Sequence, residues 1–384
     1  MMFFPIVVVL GLGYIDFVVF YSLGYEEIFK HHSKGVSISL WVIVGILELL
    51  VFIYWGTILL TGPGVSPIIE PYDLYSQNSD LSPAPDCFMC DEHGFPHWCS
   101  ECQSLMAPRS FHSKRVKRCV KKYDHFCLWV GVDIGSSNYN FFLKLVWIYG
   151  LFFLTILIYL LRYTKSNYNR GSKDINHNFI VLYVLCGLFS LFIWPLFMVH
   201  VYYISRNMTT LDDITKKQHR RYKRWLDIVE KKKFSFMKQP RIEKGVRYVN
   251  MAHKNSRAVT SYSVAEYPFS STFKENWVNL WLSMNNDHRY YYSSENKSPI
   301  SAVLKSIALF LLPFYDIFYY FSILRQYEKE RSLETGDEAL TISKPAFSSE
   351  FHKWLNGQLD KHKYWSPSYL GGEKAAPSST EGEK

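Results

Sequence analysis

Asp124, His125 and Cys127 fall within four residues, in the run Tyr123-Asp124-His125-Phe126-Cys127. A neutral imidazole can take a thiol proton, and a neighbouring carboxylate can fix its tautomer and stabilise the imidazolium. The trio could therefore make an activated thiol, with Cys127 as nucleophile, His125 as base and Asp124 as the group that orients it. Lys114, Arg115, Lys117, Arg118, Lys121 and Lys122 add positive potential around that thiol. By spacing alone, Cys127 could also be one more metal ligand.

Cys99 and Cys102 form a C-x2-C knuckle; nine residues separate Cys102 from His112, and six separate His112 from Cys119. Three thiolates and one imidazole complete a tetrahedral set for one structural zinc. The alternative is a group of reduced surface thiols, or of cysteines that carry lipid. Upstream, Cys87, Cys90, His93 and His97 offer a further C-x2-C with two histidines. They could hold a second, unrelated zinc, or be a loop with two reduced or acylated thiols. Gly94-Phe95-Pro96 implies a turn and fits either reading.

The elements that must position these groups are visible as apolar blocks. Four stand out: Phe3 to Ser22, Val36 to Leu60, Phe141 to Leu161 and Phe179 to Ile204. Each reaches the roughly 20 residues that a helix needs to cross the hydrocarbon core. The ionisable residues inside them, Asp16, Glu48, Lys144 and His200, should face other helices or the interface, because lipid solvates charge poorly. The first block has no basic flank before it and no small-residue cleavage pattern after it, so it reads as a retained helix. The fold class expected is an all-α multi-pass membrane protein, with the Cys-rich segment as a zinc-stabilised loop between helices two and three. That loop has little apolar core, and a metal could supply the missing folding free energy.

The composition fits this organisation. The 384 residues carry 43 Lys+Arg against 34 Asp+Glu, a net charge of +9, with 17% aromatics. That aromatic content excludes disorder over most of the chain. Six of the seven cysteines crowd into residues 87–127, which argues against a disulfide-stapled secreted scaffold and for metal or catalytic chemistry in a reducing compartment. The seventh, Cys186, lies in the fourth block and reads as a buried small hydrophobe.

Basic residues set the expected orientation. The segment between blocks two and three is strongly basic, and fourteen Lys/Arg lie between Arg206 and Arg247, whereas the loop at 24–35 has only Lys30 and Lys34. Residues 61–140, both termini and the tail are therefore expected in the cytosol. The domain plan is helices one and two over 1–60, the Cys-rich catalytic segment over 61–140, helices three and four over 141–204, and a basic tail over 205–370. A disordered end over 371–384 completes it. Within the tail, Ile300 to Leu324 is apolar but interrupted by Lys305, Pro313 and Asp316, and reads as an interfacial helix-turn-helix rather than a fifth span. The basic run from Lys216 to Lys233 fits anionic lipid headgroups or a solvated linker better than nucleic acid.

The order C-x2-C, His112, Cys119, Asp124-His125-x-Cys127, Trp129, then Ser137-Asn138-Tyr139-x-Phe141-Phe142 resembles the DHHC protein S-acyltransferases (palmitoyltransferases). The four-span arrangement around a Cys-rich loop is similar too, and the resemblance covers roughly residues 1–280. Asn207-x-Thr209-Thr210-x-Asp212 resembles the family's Thr-Thr-x-Glu, with Asp for Glu. Thr61-Gly62-Pro63-Gly64 stands where the family has Asp-Pro-Gly. Tyr267-Pro268-Phe269 through Asn276-Trp277 resembles a segment of some members, with Tyr for the first Asn.

The resemblance implies two interleaved zinc sites. The first maps onto Cys99, Cys102, His112 and Cys119, all present. The second would use positions 113, 116, 126 and 133, which here are Ser113, Val116, Phe126 and Asp133. Loss of a whole ligand set predicts one zinc per chain. Phe126 replaces a metal ligand and not the catalytic His125, and some fungal members with an aromatic there are regarded as active. The implied reaction moves a long-chain acyl group from a fatty acyl-CoA such as palmitoyl-CoA to cysteine thiols of membrane-associated proteins, by way of acyl-Cys127. A catalytically inactive membrane scaffold of the same family is the other reading. A transporter would need repeat symmetry that the spans lack.

Overall fold

The computed structural model describes residues 3–75, 81–169, 176–230, 245–254, 256–282, 300–331 and 347–371. The chain divides into two compact units, one of residues 1–63, 126–202 and 307–317, the other of residues 64–125, 203–306 and 318–384.

The first unit holds the apolar blocks. Four helices are long and apolar enough to cross a membrane: Phe3–Phe29, Lys34–Thr61 (α2), Tyr139–Thr164, which is the apolar part of α3 (Tyr139–Asn169), and His177–Ser205 (α4). The first winds as an α-helix, α1, over Phe3–Asp16 and then with a wider π turn over Phe17–Phe29. The inward sides of these helices make one core, including Leu23, Leu40, Val44, Phe152, Ile156 and Leu182. Their outer sides are equally apolar but exposed: Leu10, Leu49, Leu60, Leu191 and Phe192. Only a hydrocarbon environment accommodates such a surface without cost.

Each of the four ionisable residues inside the blocks meets a polar partner. Asp16 and Glu48 hydrogen-bond to each other. His200 Nδ1 meets the Tyr139 hydroxyl at 2.9 Å. Lys144 is buried and donates to the carbonyls of Leu309 and Leu312 and to Asp316 at 2.9 Å, with the Tyr54 hydroxyl donating to the same carboxylate at 2.7 Å. Leu309, Leu312 and Asp316 belong to the interrupted block, which folds as α6 (Ile300–Leu311) and α7 (Tyr315–Arg331), bent by 117°. Pro313 lies at the bend, where it disfavours helix for the residue before it. The block has the bent shape of two helices joined by a turn, and Asp316, which looked like an interruption, is the anchor of that turn.

The second unit corrects the expectation of an all-α chain. Among its described residues, the Cys-rich segment folds into small antiparallel hairpins: β2 (Trp98–Cys99) with β3 (Ser104–Leu105), and β4 (Phe111–Ser113) with β5 (Arg118–Val120). A larger sheet joins β1 (Cys87–Cys90), β8 (Val246–His253) and β9 (Ser256–Ser263) in the order β1-β8-β9. Its two faces bury separate cores. Phe88 and Cys90 pack with Ile69, Leu105 and Val259, whereas Cys87 and Met89 pack with Val249, Tyr262, Phe269, Phe351 and Leu355. Phe351 and Leu355 come from α8 (Ser349–Asp360), and Trp365 pairs with Val259 by backbone hydrogen bonds of 2.8 and 3.0 Å. The tail thus supplies walls of the unit that carries Cys87, Cys90, Cys99, Cys102 and Cys119. The disordered end expected over 371–384 falls, after residue 371, outside the described residues, as does the Lys231-Lys232-Lys233 run.

Candidate active site and metal centre

Two hairpins build the candidate metal centre. Cys99 ends β2 and Cys102 sits in the turn to β3, so both thiols project from one knuckle. In the second hairpin, His112 and Cys119 lie directly opposite each other across β4 and β5. Cross-strand partners have close, parallel side chains, so this register places an imidazole beside a thiol. The four ligand atoms lie within 4.8 Å of one another. His112 Nδ1 is 3.5 Å from Cys99 Sγ and 3.2 Å from Cys102 Sγ. Tetrahedral zinc with ordinary bond lengths sets N···S separations of about 3.6 Å, so the donors fit a metal ion with Nδ1 as the imidazole ligand. Among the described residues no other Cys, His, Asp and Glu side chains converge this way.

Cys87 and Cys90 do not form a second site. They sit three apart in a straight strand, so their side chains point to opposite sides of the sheet and into different cores. Burial pushes the Cys87 thiol up to about 12 and Cys90 well above the ordinary thiol range. His93 is exposed and its Nδ1 meets Ser368 Oγ at 3.2 Å. Of the two readings of this pair, the structure favours packed, reduced thiols.

The positions that the family resemblance marks for a second zinc have other uses. Ser113 is buried, and its Oγ accepts the N–H groups of Arg115 and Val116 at 3.2 and 3.3 Å, closing the β4–β5 turn. Asp133 is buried, and its carbonyl accepts from Asn138 Nδ2 at 3.0 Å. Asn138 in turn accepts from the Gly135 N–H, which shapes the entry to α3 without leaving a buried amide unsatisfied.

The catalytic candidates follow in the chain. His125 and Cys127 bracket the short strand β6 (His125–Cys127), which pairs with β7 (Val132–Ile134). After Cys127 the chain closes a tight turn in which the Gly131 N–H donates to the Cys127 carbonyl at 2.8 Å. Gly131 has φ +89°, and a Cβ there would come 3.1 Å from Pro5 of α1, so the position needs glycine on both counts. Trp55 of α2 donates its indole N–H to the Val130 carbonyl at 3.2 Å, and Trp129 packs edge-on against Phe4 and Phe189. Three spans therefore hold the turn that carries the buried Cys127.

Asp124 is 1% exposed and fully engaged. Its Oδ2 accepts from His125 Nδ1 at 2.7 Å and from the Thr210 hydroxyl at 2.7 Å, and its Oδ1 accepts the Thr210 N–H at 2.8 Å. Donation from Nδ1 puts the imidazole lone pair on Nε2, the tautomer that a base needs. Thr210 is fixed by the first turn of α5 (Thr210–Glu230). There Thr209 Oγ1 accepts the Asp212 N–H at 3.2 Å, and the Asp212 carboxylate accepts the Thr209 N–H at 2.9 Å. This is a capping box closed by Asp where the family has Glu.

Asp212 Oδ2 also accepts from Arg109 at 2.9 Å and from the Tyr267 hydroxyl at 2.6 Å, and Tyr267 donates to the Asn207 carbonyl too. Burial pushes the Asp212 carboxyl up, but Arg109, Tyr267 and Thr209 outweigh it and hold the group below the ordinary carboxylate range. Burial together with the Arg109 guanidinium pushes the Lys122 ammonium down to about 7. Thr210, Arg109 and Tyr267 were not read as site residues in the sequence. Arg109 looked like one of many loop cations, and the role of Thr210 was hidden because its partner Asp124 lies 86 positions away.

Four apolar spans, a Cys/His cluster that could hold a metal and an Asp-His-x-Cys run on a span-held turn define a class of membrane protein with a candidate thiol site. Comparison with known proteins agrees. The family model for DHHC palmitoyltransferases matches residues 92–217. A Candida albicans protein named palmitoyltransferase PFA5 is 39% identical over 376 residues, covering 95% of this chain and 92% of its own. The Saccharomyces cerevisiae palmitoyltransferase PFA5 is 31% identical over 239 residues, 57% of this chain and 64% of its own. Human palmitoyltransferase ZDHHC2 is 31% identical over 121 residues, 31% of this chain and 33% of its own. The chain belongs to the DHHC palmitoyltransferase family and is a protein S-acyltransferase.

Proposed function

We propose that Cys127 is the nucleophile of a two-step thioester exchange, with His125 as its base and Asp124 as the group that positions His125. The observation that carries this reading is the buried Asp124 carboxylate, which holds the His125 Nδ1–H while the Thr210 hydroxyl and N–H donate to its two oxygens. In the first step the Cys127 thiol gives its proton to His125 Nε2. The sulfur bonds to the carbonyl carbon of a long-chain acyl-CoA, the carbon–sulfur bond to CoA breaks, and the CoA thiolate takes the proton back. In the second step a cysteine thiol of a protein substrate gives its proton to His125 and attacks acyl-Cys127. Cys127 leaves as thiolate and is reprotonated. Asp124 stays ionised throughout and stabilises the imidazolium.

Burying the acyl methylenes among the spans, at about 0.8 kcal/mol each, favours long chains over acetyl. The donor set of Cys99, Cys102, His112 and Cys119 suits one structural zinc, which when bound has no open position and supplies folding free energy to the loop. The metal-set residues and Asp124 share the second unit, so holding the hairpins also holds the start of the catalytic run. The basic loops support an orientation with residues 61–140 and both termini in the cytosol, where acyl-CoA and the cysteines of membrane-associated substrates are found.

Purified protein incubated with labelled palmitoyl-CoA tests the reading. Hydroxylamine-sensitive label should appear on the wild type and vanish in Cys127→Ser. Equal label on both would assign the thioester to another cysteine.

A further inference from the structure

The helix that presents Thr210 to Asp124 is also the most two-sided element outside the spans. Along α5, Leu211, Ile214, Tyr222, Trp225 and Leu226 recur at helical spacing on one side. Ile214 and Leu226 are 42% and 40% exposed, and Tyr222 stacks on Trp225. The other side carries Lys217, Arg220, Arg221, Lys223 and Arg224, all exposed. Lys217 pairs with Asp213 one turn earlier, and the other four have no carboxylate partner among the described residues. Only four residues lie between the fourth candidate span, which ends at Ser205, and the start of α5. At no more than about 3.5 Å each, they tether the helix to the mouth of the membrane.

We infer that α5 is a docking element for an anionic lipid surface, and that lipid charge acts on the active site through its first residue. An exposed apolar stripe beside a row of cations, on a helix tied to a span, has the chemistry of an interfacial helix that inserts its apolar side and pairs its cations with acidic headgroups. A bilayer seats the whole helix, whereas an acidic protein partner would use the cations and leave Ile214 and Leu226 in water. The consequence for catalysis follows from the capping box. Thr210 holds Asp124 only while Thr209 and Asp212 keep the first turn of α5 wound. Docking that stabilises α5 therefore stabilises the group that orients His125. This second half rests on the role proposed for Asp124; the docking itself does not.

The test is hydrogen exchange of the full-length protein in nanodiscs of phosphatidylcholine alone or with about one third phosphatidylserine. Amides of residues 215–228 should exchange roughly tenfold more slowly with the acidic lipid. The slowing should disappear in Arg220→Gln/Arg221→Gln/Arg224→Gln and in Ile214→Ser/Leu226→Ser. Both sets lie away from the groups bound to Asp124, so Cys127 acylation in neutral lipid should persist in each. In the wild type, acyl-enzyme formation should rise several-fold with phosphatidylserine, and the cation variant should not respond. Equal exchange in the two lipids, or slowing that the cation variant retains, overturns the docking. Slowed exchange with an acylation rate indifferent to phosphatidylserine overturns the coupling. Loss of acylation in every lipid, with the exchange response intact, would count against the Asp124 reading and not against docking.

Discussion

Two C-x2-C pairs, Cys87/Cys90 and Cys99/Cys102, lie nine residues apart and are indistinguishable as text. Their fates are opposite. Cys99 ends a short strand and Cys102 lies in the turn that follows, which brings both sulfurs within reach of His112. Cys87 and Cys90 lie in one extended strand, so the alternation of side chains sends them into different hydrophobic cores. Spacing supplies the donors, and the backbone between them decides whether they can share an ion. Gln103, with φ +49°, bends the chain just after Cys102, and no such residue interrupts Cys87 to Cys90.

The sharpest way to break this comparison is to remove one cysteine from each pair. Cys102→Ser should take the metal content from about one zinc per chain to near zero, unfold the Cys-rich hairpins and lower acylation by more than about 1,000-fold, since structural zinc supplies roughly 10 kcal/mol or more to small metal domains. Cys90→Ser should leave the metal content unchanged and cost about 1–3 kcal/mol of stability, the usual penalty for a hydroxyl in an apolar core. Metal analysis of both purified variants settles which pair holds the ion. A second zinc that survives Cys102→Ser would refute the division drawn here.

The next effects concern the orienting carboxylate. Asp124→Asn should lower the acylation rate by roughly a thousandfold or more, because the amide no longer enforces the base tautomer or stabilises the imidazolium. Thr210→Val removes one of three hydrogen bonds to Asp124 and keeps the charge. A loss of roughly ten- to thirtyfold is expected from the strength of one charge-assisted bond. Both are read from single-turnover labelling with palmitoyl-CoA.

A smaller effect belongs to Asp212, whose carboxyl is held below its ordinary range by Arg109, Tyr267 and Thr209 against the opposing effect of burial. A depressed folded-state value means that the stabilisation is complete above the unfolded value of about 4 and is lost as pH falls through the lower folded one. Asp212→Asn should therefore cost about 2 kcal/mol near neutral pH. It should also flatten the loss of stability below about pH 4, measured by thermal melts across pH in detergent.

How much of this was legible in the sequence differs by region. The spans could be read because a hydrocarbon environment demands about 20 apolar residues in a row, and the metal set could be read because its ligands lie within 21 residues. The bend at Pro313 was legible for a local reason as well. What escaped depends on partners far apart in the chain. The pairing of Cys87–Cys90 with Tyr248–Met251 spans about 160 residues, and nothing in the short segment Cys-Phe-Met-Cys marks it as a strand. Thr210 was visible as part of a motif, but its function is a hydrogen bond to Asp124 that only the fold creates. Asp316 looked like a flaw in an apolar block until Lys144 and Tyr54 appeared beside it. Residues 347–371 carried no signal at all, although Phe351, Leu355 and Trp365 complete the walls around the sheet.

The most direct measurement is peptide mass spectrometry of the wild-type enzyme, quenched during turnover with palmitoyl-CoA and before any protein substrate is added. A palmitoyl adduct on the peptide containing Cys127, formed within one turnover and lost when a thiol acceptor is supplied, is what the account predicts. Acylation confined to other cysteines while acyl transfer proceeds normally would contradict it.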